Sequence, residues 1–212
     1  RLSMTDVTAT FFISLALFLY YLAKEKEQLK LWIFSGVSAG FAIMTKGVVG
    51  FLPFGIIGVY ELYLLISSQQ VLTKKLFKNY GYLFGASSLI FLPWHLEMYR
   101  RFGADFISNY IGYHVLERAT EAIEDKGRPF FWYLTVLKVS MRIWFVGLVA
   151  SLPVVFRRVL KKDNRIIFLV IWFTFTFLFF SSATSKLVWY VMPLYPAAAL
   201  IVGYFSERLL NW

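Results

Sequence analysis

Long apolar runs separated by short polar clusters set the pattern of the chain. They cover about Thr8–Ala23, Leu31–Thr45, Val48–Ser67, Tyr80–Trp94, Trp132–Phe156, Ile166–Ser182 and Val188–Tyr204. None alternates with the two-residue period of a transmembrane β-strand. Backbone polar groups cannot stay unpaired in lipid, so runs of this kind predict helices. At about 1.5 Å per residue, roughly 20 residues cross a hydrocarbon core of about 30 Å. The pattern therefore predicts an all-α, polytopic transmembrane helical bundle with about seven membrane segments. The second run is short and fits a tilted or partial span.

The polar clusters fall into two alternating sets. One is short and basic: Lys24, Lys26 and Lys30, then Lys74, Lys75 and Lys78, then Arg157, Arg158, Lys161, Lys162 and Arg165. The other comprises Asp6, Lys46, the long stretch Tyr99–Phe131 and Ala183–Leu187. Lys and Arg accumulate in cytoplasmic loops, which puts the first set inside and the second outside. Residues 1–212 read as one transmembrane domain, with 99–131 an extracytoplasmic loop within it.

Composition agrees with that reading. The 212 residues are 59% hydrophobic and only 16% charged, where a soluble domain carries about 25% charge. The net charge of +10 would suggest nucleic acid in a soluble protein. Here the basic residues sit in loops between apolar runs, so they point to topology and lipid headgroups. Membrane lipids are the expected partners and nucleic acid is not. With no cysteine, disulfides and thiolate metal sites are excluded.

Candidate chemistry gathers on the outer set. Lys46 interrupts an apolar stretch, and a charge at membrane depth is costly. It directly precedes the third run, where a helix N-terminus would add a positive dipole end and suit a phosphate. A snorkelling interfacial lysine gives the same pattern. Lys186, followed by Trp189 and Tyr190, is either a second anion contact or a boundary marker. In the long loop Phe106, Ile107, Tyr110, Ile111 and Val115 share one face, which predicts an amphipathic helix along the membrane surface. His114, Glu117, Arg118 and Glu121 share its other face at spacings of three and four. That face suits a divalent metal on His114 and a phosphate on Arg118, or simply solvent. Arg100 adds a further cation. His95, after Pro93–Trp94, reads as interfacial. Lys138 and Arg142 lie four apart inside the fifth run and are expected to face a cavity or the bundle interior. No P-loop, G-x-G-x-x-G, G-x-S-x-G or H-E-x-x-H occurs.

Several short motifs occur in a familiar order. They are Met4-Thr5-Asp6, Gly40-Phe41-Ala42-Ile43-Met44-Thr45-Lys46-Gly47, Pro93-Trp94-His95, Tyr113-His114-Val115-Leu116-Glu117-Arg118, Pro129-Phe130-Phe131-Trp132-Tyr133, and Ser185-Lys186 through Tyr190 to Pro193. With them the chain resembles the bacterial family 39 glycosyltransferases. These are GT-C membrane enzymes related to the lipid A aminoarabinose transferase and to the protein O-mannosyltransferases. The resemblance implies transfer of a sugar from a polyprenyl-phosphate donor to a lipid, glycan or protein acceptor, on the outer side of the bacterial cytoplasmic membrane. It implies donor contacts from Lys46, Arg100, Arg118, Lys186 and Tyr190, a supporting carboxylate at Asp6, and a divalent metal near His114. The family's first helix and the acidic outer loop after it have no counterpart here. The principal base is therefore expected outside this chain, which reads as a fragment. A transporter or lipid flippase is the competing reading. It would call for inverted repeats or paired broken helices, and the sequence shows neither.

The loop assignment yields a topology test. A cysteine at Ser108 should react with an impermeant thiol reagent in whole cells, and one at Asn164 should not. The opposite labelling would invert the bundle and move the candidate chemistry to the cytoplasm.

Overall fold

The structure, a computed structural model, describes residues 4–110 and 127–210. The chain divides into two compact units, Arg1–Glu117 and Arg118–Trp212. Among the described residues every regular element is helical, apart from one isolated antiparallel bridge between Gly127 and Ser185.

The first unit holds α1 (Thr5–Lys26), α2 (Leu29–Lys46), a 3-10 turn (Gly47–Phe51), α3 (Leu52–Ile66) and α4 (Lys74–Ile107). Asp6 stands in the first turn of α1, and Lys24 and Lys26 in its last, which complements the helix dipole at both ends. Asp6, Ala9, Ile13, Ala16, Leu17, Tyr20 and Ala23 form its buried stripe, spaced by three and four as one helix face requires. Tyr20 meets Trp32 edge to face with ring centres 5.6 Å apart, and Ser35 donates to the Ala16 carbonyl at 2.8 Å. The Thr73 side chain caps α4 by accepting from the Leu76 N–H at 3.2 Å, and Pro93 lies inside this helix.

Helix α2 packs on α4 through two glycines one turn apart. A Cβ on Gly36 would stand 2.2 Å from the Leu83 carbonyl oxygen, and one on Gly40 2.7 Å from Ile90 Cβ and 2.9 Å from the Ser87 oxygen. Leu83, Ser87 and Ile90 follow one face of α4, so the two backbones touch directly. A Gly-x-x-x-Gly pair makes such contact possible between helices that lipid gives no hydrophobic reason to associate.

Two ion pairs hold α1. At its start, Asp6 pairs with Lys46 of α2. At its end, Lys24 donates to Glu61 of α3 at 2.6 Å. Tyr20 donates to the same carboxylate, and Gln70 reaches its other oxygen at 2.5 Å. Helix α3 thus runs back along α1, antiparallel to α2. Eighteen residues separate Asp6 from Lys24, about 27 Å of helix, close to one hydrocarbon thickness of about 30 Å.

The second unit holds α5 (Trp132–Met141), α6 (Ile143–Leu160), α7 (Asn164–Ser182), a 3-10 turn (Val188–Leu194) and α8 (Tyr195–Leu210). Asp163 caps α7 by accepting from the Arg165 N–H at 3.2 Å. The Trp172 indole donates to the Pro193 carbonyl at 2.9 Å, fixing α7 to the turn before α8. Ile143, Trp144, Val146, Leu152, Phe156 and Leu160 of α6 are exposed, an apolar surface suited to lipid.

Five stretches among the described residues are long and apolar enough to cross a membrane: Thr5–Lys26, Leu29–Ile66, Ile143–Leu160, Asn164–Ser182 and Val188–Leu210. They regroup the seven apolar runs. The second and third runs fall in one helical stretch that turns at the 3-10 segment, and the fourth lies within α4. The fifth is interrupted where a continuous helix was expected. Arg142 takes φ 51° and ψ −121°, so α5 stops after 10 residues. That is about 15 Å of helix, half a bilayer core, and leaves α6 as the crossing element. The break also changes its cations. Lys138 and Arg142 are exposed and do not line the interior of the unit.

The glycine contact is testable. Gly36→Val and Gly40→Leu should each destabilise the detergent-solubilised protein by about 3 kcal/mol, the upper end of overpacking costs. Gly58→Val is the control, since a Cβ there meets nothing within 4 Å. Equal unfolding temperatures for all three would refute direct backbone contact.

Candidate functional site

In the first unit two of the expected outer residues, Asp6 and Lys46, meet at one end of the bundle. Asp6 is 8% exposed and its carboxylate is engaged by the Lys46 ammonium. Lys46 is the last residue of α2, so it complements the negative end of that helix. The expected N-terminal dipole does not apply, because the next α-helix begins only at Leu52 and a short 3-10 turn intervenes. The charge of Lys46 is therefore offset twice, by a carboxylate and by a helix C-terminus.

Beside this pair the backbone reverses at Gly47, with φ +50°. The Tyr110 hydroxyl lies 2.7 Å from where a Cβ on Gly47 would stand, so a side chain there would be strained and would displace the tyrosine. Tyr110 reaches this place because α4 breaks at Gly103, with φ 53° and ψ −130°, and the following residues pack back on it. Its ring stacks on Phe106 at 5.1 Å and lies 5.3 Å from the His95 ring. His95 Nε2 is 3.0 Å from the Tyr110 hydroxyl, and Nδ1 is 2.8 Å from the Phe91 carbonyl oxygen. Burial pushes the Tyr110 hydroxyl above its usual value, so it stays protonated near neutral pH. The sequence had placed His95 at the interface without a partner. Nothing in spacing alone reveals a bond across the Gly103 break.

Arg100 does not join the Asp6–Lys46 pair. Its side chain is 85% exposed, 3.9 Å from Glu97, and Arg101 holds the same carboxylate at 2.7 Å. Phe106, Ile107 and Tyr110 of the expected amphipathic helix belong to the end of α4 and the turn after it, while Ile111 and Val115 lie outside the described residues. So do His114, Arg118, Glu117 and Glu121. Among the described residues no group of three or more His, Asp or Glu is placed to hold a metal ion, and both His95 nitrogens are already engaged.

In the second unit the candidate is Lys186. It is 4% exposed and sits in the connection between α7 and the 3-10 turn. Its ammonium donates to the Arg128 carbonyl at 3.0 Å and to the Ala183 carbonyl. Segment 127–133 holds this connection in place. Gly127 bridges Ser185, the Arg128 N–H reaches the Thr184 oxygen at 3.3 Å, and the buried Tyr133 hydroxyl donates to the Leu187 carbonyl at 3.1 Å. The Arg128 guanidinium lies 5.9 Å above the Trp132 ring. Tyr190 belongs to the 3-10 turn, its ring 6.1 Å from Phe180. Tyr133 was visible in the sequence only as part of an aromatic cluster.

The two lysines differ in charge balance. Lys46 has a carboxylate partner. Lys186 has two neutral carbonyls and no carboxylate among the described residues, with three N–H donors to satisfy. Burial pushes its pKa down. A buried cation without a counter-ion is costly, and an anion would relieve that cost.

Known proteins share the fold of this chain. Residues 1–96 match the family described as dolichyl-phosphate-mannose-protein mannosyltransferase. An uncharacterized protein of Aquifex aeolicus is 30% identical over 214 residues, covering 97% of this chain and 39% of that protein. The undecaprenyl phosphate-alpha-4-amino-4-deoxy-L-arabinose arabinosyl transferase of Pectobacterium carotovorum is 26% identical over 211 residues, covering 98% of this chain and 37% of the enzyme. The crystal structure of ArnT from Cupriavidus metallidurans bound to undecaprenyl phosphate superimposes with a TM-score of 0.76 at 20% identity, over 96% of this chain and 37% of that one. The chain thus has the fold of this part of ArnT, and it spans under two-fifths of the curated relatives' length.

The Asp6–Lys46 pair can be weighed by a double-mutant cycle. Its side chains are 9% and 18% exposed, between the exposed limit of about 0–1 kcal/mol and the buried limit of about 3–5 kcal/mol. Asp6→Asn and Lys46→Met should each lower stability, and the double variant should lose about 1–3 kcal/mol less than their sum. Additive losses would mean that the two groups do not interact.

Proposed function

We propose that this chain, a relative of the GT-C membrane glycosyltransferases, belongs to an enzyme that transfers a sugar from a polyprenyl-phosphate donor. The acceptor is a lipid, glycan or protein on the outer side of the bacterial cytoplasmic membrane. Support comes from the relatives' names, from the ArnT likeness, and above all from the buried Lys186 ammonium, which has no carboxylate partner among the described residues.

In this reaction an acceptor hydroxyl attacks the anomeric carbon. The bond from that carbon to the phosphate oxygen breaks, and the phosphate leaves with the electron pair. The acceptor proton passes to a carboxylate base. Charge grows on the leaving phosphate, so a cation already in place lowers the barrier. Lys186 fits this task, since the two acceptors that fix its ammonium are neutral carbonyls that bring no counter-charge. Lys46, with Asp6 beside it, offers an anion a weaker field. Its role in this reading is to hold the Asp6 carboxylate at the outer end of α1. No residue of this chain is assigned as the principal base. Arg100, Arg118 and Tyr190 remain candidate donor contacts, and His114 a candidate metal ligand through which no step is drawn.

Charge-assisted contacts are worth about 1.5–3 kcal/mol. Lys186→Ala in the full-length protein should therefore weaken binding of undecaprenyl phosphate, and lower transfer, by about 10- to 100-fold, at tenfold per 1.36 kcal/mol. Because burial lowers the Lys186 pKa, the ammonium loses its proton at lower pH than an exposed lysine. Phosphate affinity should fall along an alkaline limb below the ordinary lysine value of 10.5, and Lys186→Arg should remove that limb. Wild-type affinity in Lys186→Ala would end the assignment.

A further inference from the structure

The His95–Tyr110 pair plays no part in phosphate departure, yet the fold goes to some length to build it. Helix α4 breaks at Gly103, and the returning residues stack Tyr110 on Phe106 and set it against His95 and Trp94. The result is one hydroxyl delivered to the turn that directly follows Lys46.

The protons of this pair can be assigned. The Phe91 carbonyl can only accept, so His95 Nδ1, at 2.8 Å, carries the hydrogen. In the neutral ring Nε2 then holds the lone pair, and the Tyr110 O–H donates to it at 3.0 Å. The Tyr110 oxygen is left with acceptor capacity only. His95 is its single hydrogen-bond partner among the described residues. The oxygen packs beside the Gly47 turn, which is close enough that a Cβ at 47 would clash with it. Tyr110 is half-buried, open enough for a ligand to reach.

An acceptor aimed beside an ion pair does not suit an anion. It suits an O–H or N–H donor. We propose that Tyr110, oriented by His95, is a sugar-positioning residue that accepts a hydrogen bond from a hydroxyl or ammonium group on the sugar of the lipid-linked donor. This rests on the donor reading given above. Tyr110 fixes where the sugar lies, and His95 acts through Tyr110 by fixing its proton. Neither group exchanges a proton with the reacting atoms.

The test uses the full-length protein and two probes, undecaprenyl phosphate and the same lipid bearing 4-amino-4-deoxy-L-arabinose, with equilibrium binding measured in the absence of acceptor. Tyr110→Phe keeps the stacked ring and removes only the oxygen. It should weaken the sugar-bearing probe by about 3- to 10-fold, the size of one neutral hydrogen bond, and leave the sugar-free probe unchanged. His95→Leu should reproduce this selective loss. His95→Gln, whose amide oxygen can accept the Tyr110 O–H, should restore part of it. Equal affinity of Tyr110→Phe and wild type for the sugar-bearing probe overturns the proposal. So does an equal loss for both probes, because that is what a purely structural role would give. If the wild type binds neither probe, the donor reading itself fails, an outcome distinct from the other two.

Discussion

Helix α1 is tied at both ends by charges that lipid would not tolerate alone. Asp6 and Lys46 close one end, and Lys24, Glu61, Gln70 and Tyr20 close the other. Each group removes the desolvation cost of its partner. Because Lys46 ends α2 and Glu61 belongs to α3, satisfying these charges fixes the direction of three consecutive helices. The Gly36–Gly40 contact with α4 adds the fourth without any further charge. The position of every candidate group in the first unit follows from this arrangement.

The same accounting separates the two lysines that looked alike in sequence. Both interrupt apolar context near an expected outer turn. In the structure Lys46 is neutralised by a carboxylate, whereas among the described residues Lys186 has two main-chain oxygens and no carboxylate. Hydrogen bonding and charge compensation are separate requirements, and the two carbonyls on Lys186 serve only the first. That difference is what favours Lys186 over Lys46 in the proposed donor reading.

The helical, membrane-spanning architecture was legible because apolar run length states it almost directly. The Asp6–Lys46 end was half legible. Each residue stood out against its apolar surroundings, but their pairing depends on helix register across α1 and α2. Two signals were present and unread. Glu61 is a lone carboxylate inside an apolar run, a pattern that in lipid demands a partner. Gly36-x-x-x-Gly40 is a helix-contact motif in plain view. The interruption at Arg142 had no signal, since neither glycine nor proline stands at this positive-φ position. The carbonyl cage of Lys186 was also invisible, because main-chain acceptors leave no trace in residue identity.

That last feature bears on how such a protein changes over evolutionary time. Both acceptors of the Lys186 ammonium are main-chain atoms, supplied by residues 128 and 183 whatever side chains those residues carry. Neighbouring side chains can therefore drift, altering the size and polarity of the surroundings, while the cation keeps its place. A charge anchored in this way separates the constant part of a substrate from the variable part. If the proposed donor reading holds, one scaffold can diversify toward new glycan cargo without rebuilding its contact to the lipid phosphate.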